Sequence, residues 1–558
     1  MSGESLVETS RIRDAASCRA WLARLSADDG SRLSAVDRLL RSLMRSDQAP
    51  DLVLEIAEQA RPVHLVELGG VIDRLDTGVF PMNEADRRRF LAATESLRLG
   101  RNLYKQLHTR LVEDSGVSTR SVIPGTAPSL RAVLPLARAL DFQSRLLVAL
   151  QRLRVTVDTE EWDELCVLAR HLRASTFIDT TLPDETPLLR PLTARALFVY
   201  PLLVRLARPE ARTSAEFAVA ARLARRWSGR MGFRLMEGAV SHDGGQGPSL
   251  AISERNSVRL VTHRLKRRLD ERRAEVDALG RKGASRLPKG MTIESTQRLL
   301  ADLDQAWIAP GLVPRVPLVR LGEMRLRFGF PQIQAPQPQG RAAAGPDRPV
   351  AWHSAASRAY IYGRFEQNTI IRMALGDEPV ADPLLEWAGG ARPAEWVSIE
   401  RQQSVFDVTF ATEGLRLGSL VTVVLSAPAA DAKAPLLSQG AASSDGRRMF
   451  GRVVSLCQQL ASDSRQSPVQ RVGVAMWPAS PTLVGVRLGE DPFFNDAYLL
   501  APDPSSGEPL SLLMKAGTFR GADSAMLREA MRDVRIRVDH LIESGPDYDR
   551  VRISRLSP

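Results

Sequence analysis

Lysine is almost missing from this chain of 558 residues: there are six, against 70 arginines. A formal net charge of +11 and a pI near 10.1 would ordinarily point to nucleic acid or an anionic surface. The skew toward arginine discounts that reading, because it marks a compositional habit in which arginine stands in for lysine. Many arginines also lie one helical turn from an acid, as in Asp86-Arg87-Arg88-Arg89 and Glu271-Arg272-Arg273, which is the pattern of a solvated helix surface laced with ion pairs. Cysteine is scarce as well. Cys18, Cys166 and Cys457 are too far apart for a C-x-x-C site and odd in number, so a reducing cytoplasm is the expected setting. No apolar run approaches the ~18 residues of a membrane-spanning helix. The polar start, MSGESLVETSRIRD, gives no reason to expect a secretory leader.

Chemical motifs are equally sparse. There is no phosphate-cradling G-x-x-x-x-G-K-[ST] loop, no G-x-G-x-x-G after a strand and no G-x-S-x-G elbow. None of the seven histidines lies at an H-x-x-x-H spacing or beside a cysteine, so no zinc site is expected. His242-Asp243 sits in a glycine-rich stretch and reads as an exposed loop. Cys166 shares an apolar stripe with Leu165 and Leu168 and reads as a core residue. The expectation is a non-enzymatic protein with no metal and no cofactor.

What is present is a globular composition, 44% hydrophobic and 25% charged, with a change of period along its length. The first part repeats apolar residues at helical spacing. Leu33, Val36, Leu39, Leu40 and Leu43 form one stripe, and Phe90, Leu97, Leu103, Leu107 and Leu111 form another. Asp51 is a candidate N-cap, Pro62 is expected to interrupt or bend the helix that follows it, and Thr213 with Glu216 suits a capping box. Residues 1–115 and 129–310 therefore read as two helical regions. Residues 335–350, rich in Pro, Gly and Ala, read as a linker. Beyond it the period falls to two: Val421-Thr422-Val423-Val424-Leu425 and Val469-Gln470-Arg471-Val472-Gly473-Val474 are strand-like. A small antiparallel β-barrel is expected over 351–490, with an approach strand near 315–334 and an α/β extension over 491–558. The fold class is multidomain α+β, an all-α helical array followed by a barrel.

The run Gly414 to Val423, followed by Gly451-Arg452-Val453-Val454-Ser455-Leu456 and Val472-Gly473-Val474-Ala475-Met476-Trp477, resembles the second half of PilZ-like barrels, bacterial receptors of cyclic di-GMP. Such receptors use an Arg-x-x-x-Arg element and an Asp/Asn-x-Ser-x-x-Gly element, whose arginines grip phosphate and stack on guanine. The resemblance puts Glu400-Arg401-Gln402-Gln403-Ser404-Val405 on the second element, with Glu, Gln and Val in place of Asp/Asn, Ser and Gly. Arg320, Arg325 and Arg327 stand where the arginine element belongs, without its spacing. The ligand positions implied are thus Arg320, Arg325, Arg327, Glu400, Arg401 and Gln402. Because Glu400 brings a carboxylate toward the phosphates, the sequence favours a degenerate barrel in a cytoplasmic regulatory or scaffold protein with a protein partner. The alternative is a cyclic di-GMP effector using noncanonical arginines. A nucleic-acid role for the basic stretch 254–289 ranks lower, since its twelve basic and five acidic residues include no aromatic for base stacking.

Overall fold

The computed structural model describes residues 12–25, 29–76, 80, 82–114, 130–174, 177–182, 192–238, 247–279, 287, 290–308, 312–313, 322–328, 392–400, 403–408, 415–425, 448–459, 469–477, 481–489, 494–503, 507–519, 521, 524–529 and 532–556. They belong to two compact units, Met1–Val316 and Pro317–Pro558. The proposed linker at 335–350 lies outside the described residues, as does the His242-Asp243 pair.

Among the described residues, ten α-helices build the first unit: α1 (Ala15–Arg24), α2 (Asp29–Met44), α3 (Pro50–Leu75), α4 (Glu84–Asp114), α5 (Leu130–Arg152), α6 (Thr159–Ala174), α7 (Ala194–Leu206), α8 (Ser214–Trp227), α9 (His263–Asp277) and α10 (Ile293–Ile308). Their starts follow local chemistry. Asp14 accepts from the Ser17 backbone N–H at 2.7 Å and opens α1. Asn83 does the same for the Asp86 N–H at 2.8 Å before α4. At α8, Thr213 accepts from the Glu216 N–H and Glu216 accepts from the Thr213 N–H, which closes the capping box the sequence predicts. In α3 neither the expected cap nor an interruption at Pro62 is found. Pro50, favoured at a first helical position, starts the helix with Ala49 at the cap, so Asp51 falls in the first turn and is not the cap. Pro62 does not end the helix either. Val53, Ile56 and Ala60 are buried before it and Leu65 and Leu68 after it, and that burial outweighs the lost hydrogen bond.

Helices α4 and α5 pack closely because Gly100 has no side chain. A Cβ there would overlap the Phe142 ring, which also stacks on Tyr104 with centroids 5.8 Å apart. Polar groups are buried in the same core. Glu58 accepts from Tyr104 at 2.7 Å and from Arg138 at 2.8 Å, and Arg61 lies 3.4 Å away. Glu161 accepts from Arg98 at 2.7 Å and from Arg101 at 2.6 Å.

The first unit is not wholly helical, as the sequence reading expected of 129–310. It carries a sheet of order β1-β3-β2-β4, with β1 (Gly232–Glu237), β2 (Ser249–Ala251), β3 (Asn256–Val261) and β4 (Leu312–Val313). Val258 and Leu260 are fully buried in β3 while Arg259 between them is not, a period of two masked in the sequence by neighbouring basic residues. The β2–β4 pairing is parallel over two residues, with α9 and α10 in the crossover.

The second unit holds two closed six-stranded barrels, and all their pairings are antiparallel. The first comprises β5 (Gly322–Phe328), β6 (Arg392–Glu400), β7 (Gln403–Val408), β8 (Leu420–Leu425), β9 (Arg448–Gln459) and β10 (Val469–Met476), in the order β10-β7-β6-β5-β8-β9. The second comprises β11 (Pro481–Leu488), β12 (Asn495–Leu500), β13 (Ser511–Lys515), β14 (Ser524–Glu529), β15 (Arg532–Ser544) and β16 (Tyr548–Arg555), in the order β11-β12-β13-β16-β15-β14. This corrects the expected α/β extension over 491–558, which has no helix among its described residues. Alternate residues of these strands, such as Val484, Val486, Leu512, Met514, Ile536, Val538, Val551 and Ile553, fill a dry interior of their own.

The outward alternates of the second barrel are not all solvated. Tyr498, Leu500, Leu513 and Tyr548 cluster with Leu420, Phe450 and Trp477 of the first barrel. Phe450 meets Tyr498 edge-on at 4.9 Å, and Trp477 meets Tyr548 at 5.5 Å. The Leu420 N–H donates to Asp547 at 2.9 Å across the same seam.

Candidate functional site

Two regions could hold an anionic ligand, one in each unit. In the first barrel, Arg325 and Arg327 occupy alternate positions of β5, where Arg325 pairs with Pro393 and with Val424. Glu400 is at the far end of β6, paired with Gln403. Seven residues of strand separate Pro393 from Glu400, or roughly 20 Å at ~3.3 Å per residue. Val405, at the position where the resemblance puts glycine, pairs with Gly473 and, beside a register shift in β6, with Ser398. Arg320, Arg401 and Gln402 lie outside the described residues.

The helical unit has a groove of about 270 Å³ between α8, α9 and α10. Its floor is Val219, Leu223, Trp227, Thr296 and Leu300, all buried, and its rim carries Arg222, Arg226, Arg268 and Arg272 with Glu271 and Glu275. Helical spacing makes the arrangement: Arg222 and Arg226 are four apart on α8, as are Arg268 and Arg272 on α9. The α9 pair is neutralised on its own helix, Arg268 by Glu271 at 2.7 Å and Arg272 by Glu275 at 2.6 Å. Arg222 and Arg226 are exposed and have no carboxylate partner among the described residues. Trp227 is held from behind by Trp307, edge-on at 6.2 Å, whose indole N–H donates to the Leu203 carbonyl at 2.8 Å.

Residues 16–236 match the family model for the N-terminal domain of the cyclic-di-GMP receptor FimW. That span, about two fifths of the chain, covers the helices α1 to α8 and reaches into β1. No curated protein and no solved structure matches the chain. The closed antiparallel barrel of the second unit is consistent with the PilZ-like domain that the sequence resemblance implied.

Other candidate chemistry takes structural roles. Burial pushes the Cys166 thiol up to about 12 and the Cys18 thiol up to about 11, so neither is a thiolate at neutral pH. Among the described residues no cluster of three His, Cys, Asp or Glu could hold a metal ion, and no helix is long and apolar enough to cross a membrane. Much of the basic charge in 254–289 is spent in ion pairs on α9: Arg267 and Arg268 with Glu271, Arg272 with Glu275, and Lys266 and Arg273 with Asp304. Sequence reasoning missed the α8 arginines. Their signal was Ala221-Arg222-Leu223-Ala224-Arg225-Arg226-Trp227, a basic pair at i, i+4 with no acid on that turn, ending in tryptophan.

Proposed function

We propose that this chain is a non-enzymatic cyclic di-GMP effector of the bacterial cytoplasm that passes the signal to a protein partner. The observation that carries the reading is the match of residues 16–236 to a cyclic-di-GMP receptor domain. The PilZ-like barrel supports it.

Isothermal titration of the full chain with cyclic di-GMP at near-physiological salt tests this, with cyclic di-AMP as the control. Saturable heat of defined stoichiometry for the guanine ligand alone is the expected result. No saturable heat up to the solubility limit of the ligand returns the protein to the scaffold reading.

A further inference from the structure

We infer that the groove between α8, α9 and α10 is a binding site for a nucleotide phosphate, gripped by Arg222 and Arg226. The inference deepens the effector reading and rests on it for the identity of the nucleotide, but its own support is the geometry of the groove. The α9 wall follows the pattern of an arginine matched to a carboxylate one turn away, at Arg268–Glu271 and Arg272–Glu275. The facing α8 wall breaks it. Like charges at i, i+4 repel by a few tenths of a kcal/mol on an isolated helix, so the pair is a local liability until an anion lies between the two guanidiniums. With four arginines and two glutamates the lining keeps an excess of two positive charges.

The chemistry beyond the charge also suits a nucleotide. Guanidinium forks present paired N–H donors to phosphate oxygens, and their flat faces stack on purines. Leu223, Leu300 and Trp227 supply an apolar floor on which a base would lose its hydration. A space of about 270 Å³ lies just below the usual range for whole-ligand pockets, so it takes one phosphate and its base and leaves the rest of a dinucleotide at the mouth.

The test is titration of the full chain with cyclic di-GMP and, separately, with GMP. Wild type is compared with R222A/R226A, R222K/R226K and, as the control for lost surface charge, R88A/R89A on α4. Arg222 and Arg226 are exposed, and an unchanged melting midpoint checks that the alanine variant is folded. Loss of two charge-assisted contacts should weaken binding roughly ten-fold or more. The lysine variant should recover part of that loss, and R88A/R89A should bind as wild type does. Cyclic di-GMP binding that is equal in wild type and R222A/R226A overturns the groove and leaves the effector reading standing. Binding of GMP alone, dependent on Arg222 and Arg226, overturns the effector reading and keeps the groove. No binding of either ligand overturns both.

Discussion

The helical unit buries ion pairs between its helices, whereas the C-terminal barrel fills its interior with hydrocarbon and confines buried charge to the start of β16. Arg61 and Arg138 are each 3% exposed and depend on Glu58, with Asp141 as a further, longer partner of Arg61. The cluster that fills the second barrel is apolar, and the charges this barrel buries, Asp549 and Arg550, lie together near the start of β16, with Arg550 paired to Glu508. Helices that cross at varied angles leave polar positions inside, and each must be matched by another helix. A closed barrel sorts its residues by alternation, so most of its charge goes to the outer face. The two units should therefore fail differently when one residue is changed, and hydrogen exchange read peptide by peptide can assign each failure to its unit.

The largest effect is expected at Glu58. Glu58→Ala removes the acceptor of Tyr104 and the nearest carboxylate of two buried guanidiniums, a change that costs about 3–5 kcal/mol when a buried pair is broken. Protection should fall across α3, α4 and α5 and hold in β11 to β16. Glu58→Gln, which keeps an acceptor oxygen, should lose less. Equal losses from the two variants would show that the charge of Glu58 is not what holds the helices.

In the barrel the corresponding change is Leu512→Ala. Leu512 is fully buried among Val484, Val551 and their neighbours, and truncation leaves a cavity costing about 2–5 kcal/mol. Its expected mark is lost protection in β11 to β16 with none lost in the helices. Unlike the Glu58 effect it should be insensitive to pH and salt, since no charge is uncovered.

The period of the sequence showed most of this division, and the places where it misled are instructive. Thr213 with Glu216 and the run Val421 to Leu425 declare a helix start and a strand using neighbours alone, and both are found as expected. β3 was missed because Arg255 and Arg259 made it look like part of a basic helix. Four of the strands from Pro481 onward were legible, but not β14 or β16, nor the closure into a second barrel, which depends on β11 meeting β14 some forty residues later. The groove was hidden for the same reason: Arg222 and Arg268 belong to helices separated in sequence by the whole β1 to β3 sheet.

A smaller effect should follow from Gly100→Ala. The new methyl would overlap Phe142, whose ring is held by Tyr104 and by His64 at 5.6 Å, so either the ring or the helices must shift. Overpacking of this kind costs about 1–3 kcal/mol, even though alanine is the better helix former by roughly 1 kcal/mol. Gly100→Ala with Phe142→Leu should recover part of the loss. A gain in stability from Gly100→Ala alone would show that the crossing has room to spare.

The smallest effect, and the one that most sharpens the contrast, is the response to acid. Burial tends to raise the pKa of Glu161, but hydrogen bonds from Arg98 and Gln143 and the charge of Arg101 outweigh it and hold the carboxyl below its ordinary value. Asp141 is likewise lowered, with burial opposed by Arg145 and Arg61. On the barrel, Asp533 is lowered chiefly by its bond from Arg528, and Asp539 by its bonds from Ser554 and Arg537. In every case the folded pKa lies below the unfolded one, so the unfolded chain binds more protons near pH 4. The stabilisation is complete above the ordinary carboxylate pKa of about 4 and is lost as the pH falls through the folded value. Salt separates the units. Asp533, its side chain 35% exposed, is the open one, and its attraction to Arg528 is screened over about 3 Å at 1 M salt, whereas Glu161 and Asp141, 11% and 8% exposed, are shielded from the ions and Asp539 is half-buried. Exchange rates corrected for intrinsic pH dependence, taken between about pH 6 and pH 3 in low and high salt, should show acid loss in α4 to α6 that salt leaves unchanged. In β14 to β16 the loss should shrink as salt rises. Equal salt sensitivity in the two units would mean that the buried carboxylates are as well hydrated as those on the barrel surface.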